Sequence, residues 1–239
     1  MEDYSGMTIG RIAADDFRNC SVFEKYRIDY FNHGKHTLSE SVAGKGITAE
    51  ALYSALEDAK NTPAAPQTDF NAWDQDVLCN YIEEHHHRPA EKQIAAIKPE
   101  LAHLAEALAG KHPELKEIKT LFDTVAGQIA VHQKKEELIL FPYIRKMAKS
   151  KRENVPFVRP PMTRSAENPV NMLTHEHNDQ GEAFEKIAAL TNEYTTQVEA
   201  LKDIYSTLSA FERTLHTHLH LENNILFPKA LAMDKEFAT

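Results

Sequence analysis

His132-Gln-Lys-Lys-Glu136-Glu-Leu-Ile-Leu-Phe-Pro142 and His218-Leu-His-Leu-Glu222-Asn-Asn-Ile-Leu-Phe-Pro228 are two copies of one pattern, H-x3-E-x2-I-L-F-P, set 86 residues apart. A repeat of this kind divides the chain into two like halves. A spacing of four puts histidine and glutamate on one face of a helix. In the first copy that face continues the apolar stripe Val125, Ile129, Ile139, and in the second it continues Leu208, Phe211, Leu215, Ile225. Imidazole and carboxylate thus occupy core positions, where an unpaired carboxylate costs several kcal/mol, by rough estimate, unless it is paired or binds a metal.

The helical periodicity extends outward from these copies. Four helices are expected, A from about Trp73 to Ala109, B from Pro113 to Lys149, C from Pro169 to Thr191 and D from Thr196 to Leu231. Pro89 should kink or split helix A near His85, because an interior proline crowds the carbonyl four residues back. Between B and C the run Lys151-Arg-Glu-Asn-Val-Pro-Phe-Val-Arg-Pro-Pro161 reads as a surface loop. Upstream, Asn61-Thr-Pro-Ala-Ala-Pro-Gln67 reads as a linker, which separates a small helical unit at 1–60 from a bundle at 73–232. The small unit carries two predicted helices, about Ile9–Tyr26 and Thr48–Lys60. It has too few residues for a sizeable core of its own and should lean on the bundle or on a second subunit, which leaves a homodimer open. The expected fold class is all-α.

Composition agrees. Only 8 glycines occur in 239 residues, too few for many tight β-turns or phosphate-cradling loops. A net charge of −9 works against a nucleic-acid footprint, and no apolar run approaches the ~20 residues of a transmembrane helix. The two cysteines, Cys20 and Cys79, are too few for a disulfide framework, and Met1 to Arg18 has no signal-peptide pattern, so a cytoplasmic location is expected. Histidine is the outlier, at 13.

Each repeat is preceded by a further candidate histidine, His86 in helix A and His177 in helix C. Within His85-His-His87 only one residue should face the core. The stripe from Ile82 selects His86, with His85 as the alternative if Pro89 shifts the local phase. His175, His216 and His220 stand two residues from proposed ligands and are expected to face solvent. His86, His132, Glu136, His177, His218 and Glu222 then form a ligand set for two metal ions, with the glutamates able to bridge. Mixed nitrogen and oxygen donors disfavour calcium and magnesium, the lack of cysteine ligands disfavours structural zinc, and iron fits best. A ferritin-like E-x-x-H site is disfavoured because helix C has no glutamate three residues before His177.

The sequence resembles the repair-of-iron-centres family of di-iron proteins, YtfE/ScdA type. The motifs that carry the resemblance are the two repeats, the run Leu221-Glu-Asn-Asn-Ile-Leu-Phe-Pro228, and Val22-Phe-Glu-Lys-Tyr-Arg-Ile-Asp-Tyr30 followed by Gly34-Lys-His-Thr-Leu38. The resemblance implies a hemerythrin-like four-helix bundle in which the four histidines are terminal ligands and Glu136 and Glu222 bridge two irons. It also implies repair of iron-sulfur clusters damaged by nitric oxide or peroxide, with damaged proteins as clients. The other reading is a module that binds or senses dioxygen or nitric oxide without repair, and a storage bundle is a third. Oxygen carriers of this fold typically have a fifth histidine ligand, and none falls on these stripes. One departure stands out: where the family carries an adjacent cysteine pair, this chain has Phe31 and Asn32. The N-terminal unit is therefore expected to act by packing or docking and not as a second chemical centre.

Overall fold

The computed structural model describes residues 4, 6–61, 68–161 and 163–237. Most of the expected linker, 62–67, lies outside the described residues. Among the described residues the fold is all-α. Its one β feature is an isolated bridge between Thr8 and Thr37, and no helix is long and apolar enough to cross a membrane.

The N-terminal unit contains α1 (Ile9–Asp15), α2 (Arg18–Lys25), α3 (Leu38–Ser41) and α4 (Ala49–Asn61). The single helix expected over 9–26 breaks at Asp16-Phe17. There the Ile12 carbonyl accepts from the Asp16 N–H (3.4 Å) and also from Asn19 Nδ2 (2.9 Å), so a side chain reinforces the helix end. The sequence reading missed α3, which opens with a capping box: Thr37 N donates to Glu40 Oε2 (2.8 Å) and Glu40 N to Thr37 Oγ1 (3.3 Å).

Four long helices follow. α5 joins Gln75–Ile82 to Arg88–Ala107 through a wide π turn at Glu83–His87, and α6 joins Glu114–Lys135 to Phe141–Glu153 through one at Glu136–Leu140. α7 is Glu167–Leu190 and has no such turn. α8 joins Glu199–His220 to Phe227–Glu236 through a π turn at Leu221–Leu226. All three wide turns have one cause. Pro89, Pro142 and Pro228 lack an N–H and crowd the carbonyl four residues back. The residue before each proline bonds five residues back instead: Arg88 N–H to Glu83 O, Phe141 N–H to Glu136 O and Phe227 N–H to Glu222 O. The split expected at Pro89 is thus a π turn inside a continuous helix.

Two apolar clusters fill the bundle. One includes Leu101, Phe122, Val125, Ile129, Phe184, Leu208 and Phe211 and continues into Ile9, Ile12, Phe23, Tyr30 and Phe31 of the N-terminal unit. The other includes Leu78, Ile82, Phe141, Ile144, Met147, Leu173, Ile225 and Phe227. The N-terminal unit therefore shares a core with the bundle. The buried polar residues of the two repeats lie between the clusters, where the wide turns occur.

The proline-rich loop is tied down by Asp234. Its carboxylate accepts from Tyr143 Oη (2.7 Å), Ser165 Oγ (2.9 Å) and Ala166 N (3.0 Å), and pairs with Arg159. Burial alone would raise the Asp234 carboxyl above its ordinary range, but these donors outweigh it and hold the group lower. A depressed carboxyl adds stability above its unfolded pKa that disappears as pH falls through the folded value. Asp234→Asn should therefore cost about 2 to 3 kcal/mol near neutral pH. In denaturant titrations the deficit should shrink as pH falls toward the carboxylate range; a deficit independent of pH would contradict the role given to the charge.

Candidate metal centre

Five of the six residues expected from sequence converge at the centre of the bundle: His132, Glu136, His177, His218 and Glu222, each at most 3% exposed. The sixth is corrected. His87, not His86, joins them, and His85 is exposed. The π turn is the reason. In a wide turn residue i+5 stands where an α-helix would place i+4, so counting from buried Ile82 the inward position passes from His86 to His87. The signal was in the sequence as Glu83-x4-Arg88-Pro89, a third copy of the Glu-x4-residue-Pro spacing found at Glu136 to Pro142 and Glu222 to Pro228.

The side chains form two clusters, His87, Glu136, His218, Glu222 and His132, Glu136, His177, Glu222, whose offered ligand atoms in each lie within 4.8 Å of one another. Both glutamates belong to both clusters, one oxygen to each. Glu136 Oε2 lies 3.3 Å from His87 Nε2 and Oε1 lies 3.4 Å from His132 Nε2. Glu222 Oε1 lies 3.0 Å from His218 Nε2 and Oε2 lies 3.2 Å from His177 Nε2.

The opposite edges of three rings fix which nitrogen faces inward. His132 Nδ1 donates to Glu176 Oε2 (2.9 Å), His87 Nδ1 to Glu137 Oε1 (3.1 Å) and His177 Nδ1 to Asn223 Oδ1 (2.8 Å). These partners are acceptors, so each neutral ring carries its proton on Nδ1 and presents an Nε2 lone pair to the centre. His132 Nε2 and His177 Nε2 then face each other at 2.9 Å. Two lone pairs at that distance repel unless a cation lies between them.

Both Glu136 oxygens, Glu222 Oε2 and His87 Nε2 are buried without a hydrogen-bond partner. Burial, and then the charge of Glu222, push the Glu136 carboxyl well above its ordinary range. Burial acts on Glu222 in the same direction, but His218 and His177 outweigh it and hold that carboxyl well below. Burial also lowers His132 and His177, favouring neutral rings. Orphaned acceptors, neutral imidazoles and two carboxylates with one oxygen per cluster fit a pair of metal ions.

The supports outside the clusters are less buried. Glu176, which holds His132, also pairs with half-buried Lys135. Asn223, which holds His177, donates through Nδ2 to the Phe31 carbonyl (3.1 Å) and to Asn32 Oδ1 (3.2 Å). Asn32 Nδ2 donates in turn to the His177 carbonyl (3.2 Å). The N-terminal unit, expected to act by packing or docking, thus also packs onto the clusters: Phe31 and Asn32 build a strut onto His177. Supports of this kind are typically worth about 10- to 100-fold in metal affinity. Asn223→Ala should weaken binding of a first-row divalent ion by about that factor in chelator competition, while Asn223→Asp, which keeps the acceptor for Nδ1, should retain most of it. Equal losses in both variants would contradict an orienting role.

The solvent-facing expectation for His216 and His220 is also corrected, whereas His175 is exposed as expected. His216 stacks on Phe31 with ring centroids 3.9 Å apart, and its Nδ1 meets Glu24 Oε1 at 2.8 Å. His220 packs against Phe17 and Tyr30, and burial pushes it down to about 3. Both rings face the N-terminal unit, which covers the side of α8 that a bundle alone would leave wet. Cys20 is buried, and its thiol is pushed up to about 12, mainly by burial, so it supplies no thiolate near neutral pH.

Known proteins are similar in sequence across both units. The family model described as Hemerythrin HHE cation binding domain matches residues 80–230, and ScdA_N, a domain of unknown function, matches residues 5–60. The chain is similar to the iron-sulfur cluster repair protein YtfE of Citrobacter koseri, 29% identical over 236 residues that cover 94% of this chain and 96% of the relative. The protein of the same name from Escherichia coli O8 is 29% identical over 241 residues, covering 96% and 98%, and that of Shigella boydii serotype 4 is 28% identical over the same span. With that model spanning the whole paired-cluster region, the chain belongs to the hemerythrin HHE cation-binding family, and it is similar over nearly its full length to the iron-sulfur cluster repair proteins named YtfE.

Proposed function

We propose that this chain holds two iron ions, one in each His–Glu cluster with Glu136 and Glu222 bridging, and uses them to restore iron-sulfur clusters damaged by nitrosative or oxidative stress. The observation that carries this reading is the division of each carboxylate, one oxygen toward His87 or His218 and the other toward His132 or His177. The names of the relatives support the repair role. When bound, the irons supply either the metal given to a damaged cluster or a reactive centre for nitric oxide.

The chain's own part is positional. His87, His132 and His177 are locked by their Nδ1 hydrogen bonds, so their Nε2 atoms need no reorganisation to bind. Glu136 gives up its proton when a cation replaces it, and the burial that disfavours the bare carboxylate then strengthens its attraction to the ion. With six protein ligands for two ions, coordination positions stay open for a small ligand or for metal exchange. Two histidines per cluster and no fifth among the clustered residues favour repair over a carrier role.

The test is to incubate a nitric-oxide-treated iron-sulfur dehydratase with the iron-loaded protein, following the regained activity and the movement of labelled iron. Recovery with label in the client, absent for Glu136→Leu, is the expected result. Tight iron binding with no recovery would replace repair by the binding or sensing reading.

A further inference from the structure

The loop whose Asn32 reaches the His177 carbonyl also carries two exposed histidines, His33 and His36, that stand together. Their ring centres lie 5.1 Å apart. That spacing matches the buried clusters, where the pairs His87–His218 and His132–His177 have ring centres 5.0 and 4.6 Å apart. It also matches chelation in general: a metal about 2.0 to 2.1 Å from one nitrogen of each of two imidazoles, at a near-tetrahedral angle, sets the ring centres about 5 Å apart.

Hydrogen bonding prepares both rings. His33 Nδ1 donates to Asp29 Oδ2 (2.6 Å), which leaves the Nε2 lone pair open, as Glu176 does for His132 and Glu137 for His87. Asp29 is itself fixed, because its Oδ1 accepts from Asn32 N (2.8 Å). The His36 ring makes no hydrogen bond among the described residues. The backbone holds the two in register: His36 N–H donates to His33 O (2.9 Å), Ile9 N–H to His36 O (2.8 Å) and Gly10 N–H to Gly34 O (2.8 Å). Little ordering is then left for an ion to impose. Asp29 beside His33 and Glu40 near His36 add negative charge. We propose that His33 and His36 form a third metal site, exposed and exchange-labile, with Asp29 as a positioning residue. Two imidazoles with water in the remaining positions suit a first-row divalent ion such as zinc or ferrous iron and not calcium or magnesium. The site lies outside the six buried ligands and does not depend on the repair reading.

Zinc is the probe, added to the full-length protein as purified. Calorimetry should show one equivalent per chain whose affinity falls about tenfold or more in His33→Gln and in His36→Gln, with uptake by the buried clusters unaffected. Both residues are exposed, so the variants should keep the wild-type melting curve. Asp29→Ala should weaken the same equivalent several-fold, and Asp29→Asn, which keeps an acceptor for His33 Nδ1, should restore most of the loss. His103→Gln, at another exposed histidine, should change nothing. In nuclear magnetic resonance spectra zinc should move the ring C–H signals of His33 and His36 together and leave those of exposed His85, His103 and His175 in place. No such equivalent in the wild type, equal zinc affinity in both histidine variants, or shifts at His85 or His175 in place of the pair would overturn the site.

Discussion

Glu136→Leu is expected to abolish metal loading and, at the same time, to raise the melting temperature of the metal-free protein. Both Glu136 oxygens are buried without hydrogen-bond partners, and Glu222 stands close enough to oppose its charge. Such a group disfavours the metal-free fold, and replacing buried ionic groups with apolar residues of similar volume is often stabilising by about 1 to 4 kcal/mol. At roughly 2 to 4 °C per kcal/mol for a chain of this size, the metal-free variant should melt several degrees higher. The metal should respond oppositely, because one substitution removes an oxygen from each cluster. Glu222→Leu should also empty the centre, with less stabilisation, since its carboxylate already contacts His218 and His177. Calorimetry of metal-free samples beside metal analysis checks both halves. A Glu136→Leu protein that melted lower without metal, or kept two tightly bound ions, would show that the carboxylate is structural.

Deleting residues 1–66 should cost the centre much of its metal and lower the melting temperature by on the order of 10 °C. The deletion strips Ile9, Ile12, Phe23, Tyr30 and Phe31 from a core they share with Leu208, Phe211 and Leu219. It also uncovers His216, His220, Asn223 and Asn224. Asn224 Nδ2 donates to the Tyr30 carbonyl (3.0 Å), and its side chain is seated between Gly10 and Gly34. A Cβ would lie 2.3 Å from Asn224 Oδ1 at Gly10 and 2.0 Å at Gly34, so these glycines are required by close approach. A truncated protein with full metal content and an unchanged melting curve would show that the unit only rests on the bundle.

These expectations differ from what the sequence alone suggests, and the reasons are physical. Helical periodicity brings His132, Glu136, His177, His218 and Glu222 to the same inward face as the structure does, because each lies on a stripe read from regular helix on its N-terminal side. His87 was hidden because the wide turn begins directly after Ile82, and a count of 3.6 residues per turn cannot see it. The prolines two residues beyond His87 and Leu140 and after Phe227 were visible, but a proline can kink, split or widen a helix, and only the equal spacing from a glutamate selects the third outcome. His216 and His220 were misplaced for a different reason. A face opposite the core stripe is wet only if nothing else covers it, and here Phe17, Tyr30 and Phe31 do. Such coverage is a tertiary fact with no local signature. The strut from Asn32 through Asn223 to His177 joins residues nearly two hundred positions apart, and it too is invisible to periodicity.

The centre is most directly tested by metal content and visible spectrum of protein purified without added metal. Two clusters sharing both carboxylates predict about two irons per chain, one for each cluster, with visible absorption that His86→Ala leaves in place and His87→Ala removes. Zinc alone, less than one metal per chain, or a spectrum lost with His86 and kept without His87 would contradict the account.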